Sequence, residues 1–186
     1  MGVELVLVAV AIVLAAVLAW AVVAYNGLVR RRNRVEATWS DVDVLLRRRH
    51  DLVPNLVSTV GGYARHEAAV LRAVAEARSA ALAASGPAAQ GRAESALSSN
   101  VKAVFAVAED YPDLKASTAF VELQDQLTAT EDGLEHARQF YNDSVYGYMT
   151  ATQTLPTSLI AALLGFRPRQ YFQAAGSERT PATVRT

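Results

Sequence analysis

The chain has no cysteine among its 186 residues. That excludes disulfides, thiolate metal sites and a lipid-modified cysteine, and it leaves the compartment open. Lysine is nearly as scarce: Lys102 and Lys115 stand beside sixteen arginines, which with the abundance of alanine reads as genome composition. Net charge is zero, so no overall field selects a polyanion, and nucleic acid is not an expected partner. No alternating strand pattern and no solenoid-length repeat is visible. Chemical signatures are missing too. There is no G-x-S-x-G and no glycine-rich phosphate loop. His66-Glu67 opens like a zinc-protease helix, but the fourth position beyond His66 is Val70. His50, His66 and His136 are far apart and read as ordinary surface or interface histidines. No metal, cofactor or catalytic residue is implied.

What the chain does have is an apolar run from Leu5 to Tyr25, twenty-one residues without a charge, followed by Arg30, Arg31, Arg32 and Arg34. A bilayer core about 30 Å thick needs about 20 apolar helical residues to cross it. A cleaved signal peptide would carry a basic N-terminal flank and a shorter apolar stretch; here the flank carries Glu4 and the bases come afterwards. A buried core helix of this length would be unusual in so small a domain. The expectation is an uncleaved anchor over residues 1–27, a single span of a cell membrane. Trp20 and Tyr25 sit towards its arginine end, where aromatic rings favour the headgroup level. Arginine-rich flanks stay cytoplasmic, so the N-terminus is expected outside and the rest of the chain inside.

Beyond the anchor, residues 28–53 hold no glycine or proline. Val35, Trp39, Val42, Leu46, Val53, Leu56 or Val57, and Val60 form one stripe of near-heptad period. Asn26-Gly27 is the one soft spot between anchor and stem. Pro54 lacks an N–H and should kink or end the helix at about Val53, with Asp51 available to cap a restart. The pattern resumes with Tyr63, Val70, Leu71 and Val74 and fades near Ala84. Ser85-Gly86-Pro87 breaks the chain, and Pro87 suits the first turn of a new helix. That helix carries Leu97, Val101, Val104, Phe105 and Ala108 and stops at Tyr111-Pro112. Asp113 or Ser117 then opens a long helix with Phe120, Leu123, Leu127, Leu134, Tyr141, Val145 and Tyr148 as its stripe. Glu122, Asp125, Glu131, Asp132 and Glu135 read as its solvated face. Leu155, Leu159, Ile160, Leu163 and Leu164 form a short apolar helix ending at Gly165, and residues 173–186 read as a disordered tail. The expected fold is all-α: an antiparallel bundle of about four long helices over residues 28–172, on an N-terminal transmembrane helix.

Several short blocks in order resemble the LemA family. They are Tyr25-Asn26-Gly27-Leu28-Val29, Arg34-Val35-Glu36, Trp39 to Leu45, Arg48-Arg49, and Leu52-Val53-Pro54-Asn55-Leu56-Val57. Later come Phe105 to Leu114, Ala137 to Asn142, Leu155-Pro156, Gly165-Phe166 and Tyr171-Phe172. The resemblance runs over roughly residues 1–173. Met149, where a polar residue is commoner, and Asp132-Gly133 depart from it. It implies a bacterial single-pass membrane protein with a helical soluble domain, and no established activity.

Two arginine clusters are the candidate contacts. Arg30, Arg31, Arg32 and Arg34, with Trp20 and Tyr25, flank the membrane, where each arginine contributes about 1 kcal/mol towards an anionic surface. Arg47, Arg48, Arg49 and His50 precede the expected break at Pro54. They read either as helix-end chemistry or as a contact for a partner or an anion. In an upright helix, at about 1.5 Å per residue, the second cluster lies beyond a Debye length from the bilayer. The tyrosines 141, 146 and 148 read as core packing with bonded hydroxyls. The leading expectation is a non-enzymatic, membrane-anchored scaffold for an unknown protein partner, with assembly of copies of the chain as one option. A lipid-binding surface module built on Arg30–Arg34 is the alternative.

Overall fold

The computed structural model describes residues 1–173; the tail expected at 173–186 lies, but for Gln173, outside them. Among the described residues there are six α-helices and no strand. They are α1 (Gly2–Tyr63), α2 (Ala68–Ala83), α3 (Pro87–Ala108), α4 (Pro112–Lys115), α5 (Thr118–Gln153) and α6 (Thr157–Leu163), with one 3-10 turn at Arg65–Glu67. The all-α expectation holds, and α1, α2, α3 and α5 are the four long helices.

The punctuation follows the expected chemistry at most joints. Gly86 takes φ 84°, a left-handed conformation that costs glycine little, and Pro87 begins α3. Pro112 likewise begins α4. The Ser117 carbonyl accepts from the N–H groups of Phe120 and Val121 at 3.1 Å each, which starts α5. Gly165, at φ 71°, follows α6. One joint differs: Pro54, where the helix was expected to kink or end, lies inside α1, which runs on through Asn26-Gly27 as well for 62 residues.

The described residues form two compact units. The first comprises Met1–Trp39 and Asp143–Arg169. Its buried side chains are Ala24, Leu28, Val35, Val145, Tyr148 and Ala161. Tyr148 donates to the Arg167 carbonyl at 2.9 Å, and Arg169 pairs with Glu36 at 2.7 Å. Burial raises the Tyr148 pKa, opposed by the positive charges of Arg169 and Arg32. The apolar window of α1 belongs to this unit, and none of it is buried. The helix is long and apolar enough to cross a membrane.

The second unit comprises Ser40–Asn142 and the described part of Gln170–Thr186. Its core joins Leu52, Val53, Leu56 and Val60 of α1, Val74 and Ala81 of α2, Leu97, Val101 and Val104 of α3, Leu114 of α4, and Phe120 and Leu127 of α5. Phe105 and Phe120 meet edge to face, centroids 6.0 Å apart. The chain after Gln170 is strapped onto α5. Tyr141 donates to the Gln170 carbonyl at 2.8 Å, and the Asn142 amide exchanges two hydrogen bonds with the Phe172 backbone.

Leu56 is fully buried at the centre of this core. Truncating it, Leu56→Ala, should cost about 2–5 kcal/mol, the range for removing a buried leucine side chain. Chemical denaturation of the full chain in detergent reads this; a change below about 0.5 kcal/mol, the size of an ordinary surface effect, would mean that α1 does not supply the core.

Candidate functional site: a buried charge cluster on α1, α2 and α3

The most concentrated polar chemistry lies inside the second unit. Glu94 of α3 is 1% exposed, Arg49 of α1 is 2% and His50 is 5%. A carboxylate this far from water is costly unless donors surround it. Here both oxygens are served. Oε1 lies 2.7 Å from His50 Nε2 and 2.9 Å from Gln90 Nε2, while Oε2 receives Arg49 Nη1 at 3.2 Å. His50 Nε2 and Glu94 Oε1 are joined by a single hydrogen bond. Arg49 Nη2 donates to Ser98 Oγ at 2.7 Å, and the Ser98 hydroxyl donates to Glu131 Oε1 at 2.9 Å. Glu131 also lies 3.4 Å from Arg49 Nη1. The cluster thus links α1 and α3 and reaches the half-buried Glu131 on α5.

Pro54 completes the arrangement. In an α-helix the N–H of residue 54 would bond the carbonyl of residue 50, and proline has none to give. The His50 carbonyl instead accepts from Arg78 Nε of α2 at 2.8 Å. A side chain from a neighbouring helix takes over the orphaned acceptor, so α1 continues where the sequence suggested an end. Asp51, the candidate cap, is exposed.

The second arginine cluster is therefore divided. Arg47 is exposed and pairs with Asp43 at 2.7 Å, one turn back. Arg48 is exposed, whereas Arg49 and His50 face inward onto Glu94. The expectation of helix-end chemistry gives way to a cluster inside an uninterrupted helix. His50 is not a surface histidine, whereas His66 and His136 are exposed. Glu131 is not wholly part of the solvated face; Glu122, Asp125, Asp132 and Glu135 are exposed as expected.

Glu94 does not stand out in the sequence as a member of this cluster, although a signal is present. It falls three residues before Leu97 and seven before Val101, on the apolar stripe of α3. Arg49 likewise occupies the gap between Leu46 and Val53 on the stripe of α1. A charge on each of two apolar seams is the pattern of a buried ion pair.

Arg49, Ser98 and Glu131 also line a cavity of about 220 Å³ together with Val101, Phe105 and Leu127. Neither His50 nor a tyrosine lines it. Among the described residues no group of three histidine or acidic side chains is placed to hold a metal ion.

The membrane-flanking residues all lie in the first unit. Trp20, Tyr25, Arg30, Arg31, Arg32 and Arg34 are exposed. Tyr25 meets Phe166 edge to face with centroids 5.9 Å apart, and Arg32 sits 5.7 Å over the same ring. Arg31 donates to the Gly147 carbonyl at 3.4 Å.

These features define a class: an all-α protein whose first helix carries an apolar stretch of membrane-spanning length and whose core holds a buried ion pair. A model of the LemA family matches residues 38–185. The chain belongs to the LemA family. No curated protein matches it.

Two outcomes follow from the cluster. Glu94→Ala should destabilise the protein by about 3–5 kcal/mol, because it removes the fully buried carboxylate paired with the buried Arg49 guanidinium, while an Arg49→Met, Glu94→Leu pair should cost far less. Equal losses in the single and double variants would show that packing, not charge, holds this position. Arg78→Met should cost about 1–3 kcal/mol in the natural chain by orphaning the His50 carbonyl. In a Pro54→Ala background the cost should shrink, since residue 54 then supplies the N–H; an additive double-mutant cycle would contradict the substitution of Arg78 for the missing donor.

Proposed function

We propose that the protein is a single-span membrane protein with its N-terminus outside and its helical units in the cytoplasm. In this reading it has no catalytic activity and acts as a scaffold that presents helical surfaces to a protein partner, copies of itself included. The observation that carries the reading is α1 itself. Its apolar window is wholly uncovered, the adjoining residues end in four exposed arginines, and the same unbroken helix then turns a buried face into a bundle core. An uncovered apolar helix is unfavourable in water and at home in lipid. The arginines support the orientation. The buried cluster supports a structural role, because both Glu94 oxygens are already held by groups of the chain.

The natural lack of cysteine makes the topology directly measurable. A Gly2→Cys variant should react with a membrane-impermeant maleimide in intact cells, and Ser79→Cys only after permeabilisation. The reverse pattern would invert the topology. Crosslinking in intact membranes followed by mass spectrometry should return a recurrent neighbour. A strictly monomeric protein with none would remove the scaffold reading.

A second reading makes Arg30, Arg31, Arg32 and Arg34 a binding surface for anionic headgroups, favoured by their exposure. Arg47 and Arg49 are engaged elsewhere and have no part in it. For the full chain in mixed vesicles, brominated anionic lipid should quench tryptophan fluorescence more than brominated zwitterionic lipid at low salt. The preference should vanish at high salt and in an Arg30→Gln, Arg34→Gln variant. Equal quenching by both lipids under all conditions would eliminate the surface module.

A further inference from the structure

The segment between α5 and the end of the first unit exposes apolar surface that the core does not use. Leu155 is 76% exposed, Leu159 65%, Leu163 81% and Leu164 51%. Leu159 and Leu163 stand four residues apart on one face of α6, while Ala161 on another face is buried, and Leu155 is exposed in the turn before the helix. Arg167 and Arg169 follow directly. Four uncovered leucines with the exposed Arg167 beside them form the composition of an interfacial membrane element, apolar body and basic edge, Arg169 being paired with Glu36.

The neighbours of this segment fix its level along α1. Phe166, whose N–H bonds the Ala161 carbonyl at 3.0 Å, packs its ring on Tyr25, five residues before the first arginine. A groove of about 390 Å³ has Ala24, Gly27, Leu28 and Arg31 of α1 on one side and Thr154 and Thr157, from the α5–α6 corner, on the other. Two independent contacts therefore put the corner beside residues 24–32, where the apolar stretch gives way to arginine. A segment at that level with leucines facing outward meets the headgroup and upper acyl layer.

We propose that Leu155–Leu164 is a second membrane-contact element, lying in the interfacial layer of the leaflet from which α1 emerges. The occupant of the leucine face is lipid. The proposal rests on the reading of α1 as a membrane span. It gives the first unit two attachments, one spanning and one lying flat, so the unit cannot swing freely about its exit point.

The test uses the full chain in phosphatidylcholine–phosphatidylglycerol vesicles, with a fluorophore on single cysteines at Leu18→Cys, Leu159→Cys, Leu163→Cys and Ser79→Cys. Spin-labelled lipids carry the quencher either near the headgroup or deep in the acyl chain. Loss of fluorescence at positions 159 and 163 should be greater with the shallow label. Position 18 should respond chiefly to the deep one, and position 79 only to aqueous iodide. If 159 and 163 behave like 79 while 18 stays deep, the second contact is refuted and the span stands. If 18 also behaves like 79, span and second contact fall together. Helical content matching the parent chain by circular dichroism validates each variant, and the two leucine positions serve as checks on one another.

Discussion

A carboxylate buried to 1% exposure between two helices constrains everything around it. Glu94 needs polar partners, and Arg49, His50 and Gln90 supply them. Sliding α1 past α3 by one turn would leave a guanidinium and a carboxylate buried apart, at a cost of several kcal/mol by the usual measure of broken buried pairs. Hydrophobic stripes alone tolerate such slips, since leucine and valine recur along both helices. The ion pair supplies the register that the apolar contacts leave loose, much as single polar residues do in coiled-coil seams.

The same residues resolve the difficulty that Pro54 creates. A proline inside a helix orphans a carbonyl and disfavours the helical backbone before it. Arg78 donates to that carbonyl, and His50, whose carbonyl it is, is held from its side chain by Glu94. Backbone and side chain of one residue are thereby fixed from α2 and α3 together. Helix α1 remains one element because its neighbours complete it.

Much of the fold was legible because burial follows helical period. Val35, Val42, Leu46, Val53, Leu56 and Val60 are all buried, as are Leu97, Val101 and Val104, and Phe120, Leu127, Leu134, Tyr141, Val145 and Tyr148. Breaks at Gly86-Pro87 and Gly165 were legible because their backbone demands are local. The continuity through Pro54 was not, since it depends on Arg78, 24 residues away in sequence and adjacent only after folding. Glu94 and Arg49 were marked by their positions on apolar stripes, but a single stripe cannot say which charges will face each other. The leucines after Pro156 read as a short apolar helix; only the folded chain shows that Leu159, Leu163 and Leu164 are exposed.

Helix α1 is a single helix from its apolar stretch to Tyr63, completed at Pro54 by Arg78 of α2. Hydrogen exchange of the full chain in lipid nanodiscs, resolved along α1, should show unbroken protection from the apolar run through Asn26-Gly27 and on both sides of Pro54 up to the end of the core at Val60. Fast exchange confined to residues 26–34, or to the turn around Pro54, would show two helices joined by a hinge and contradict it.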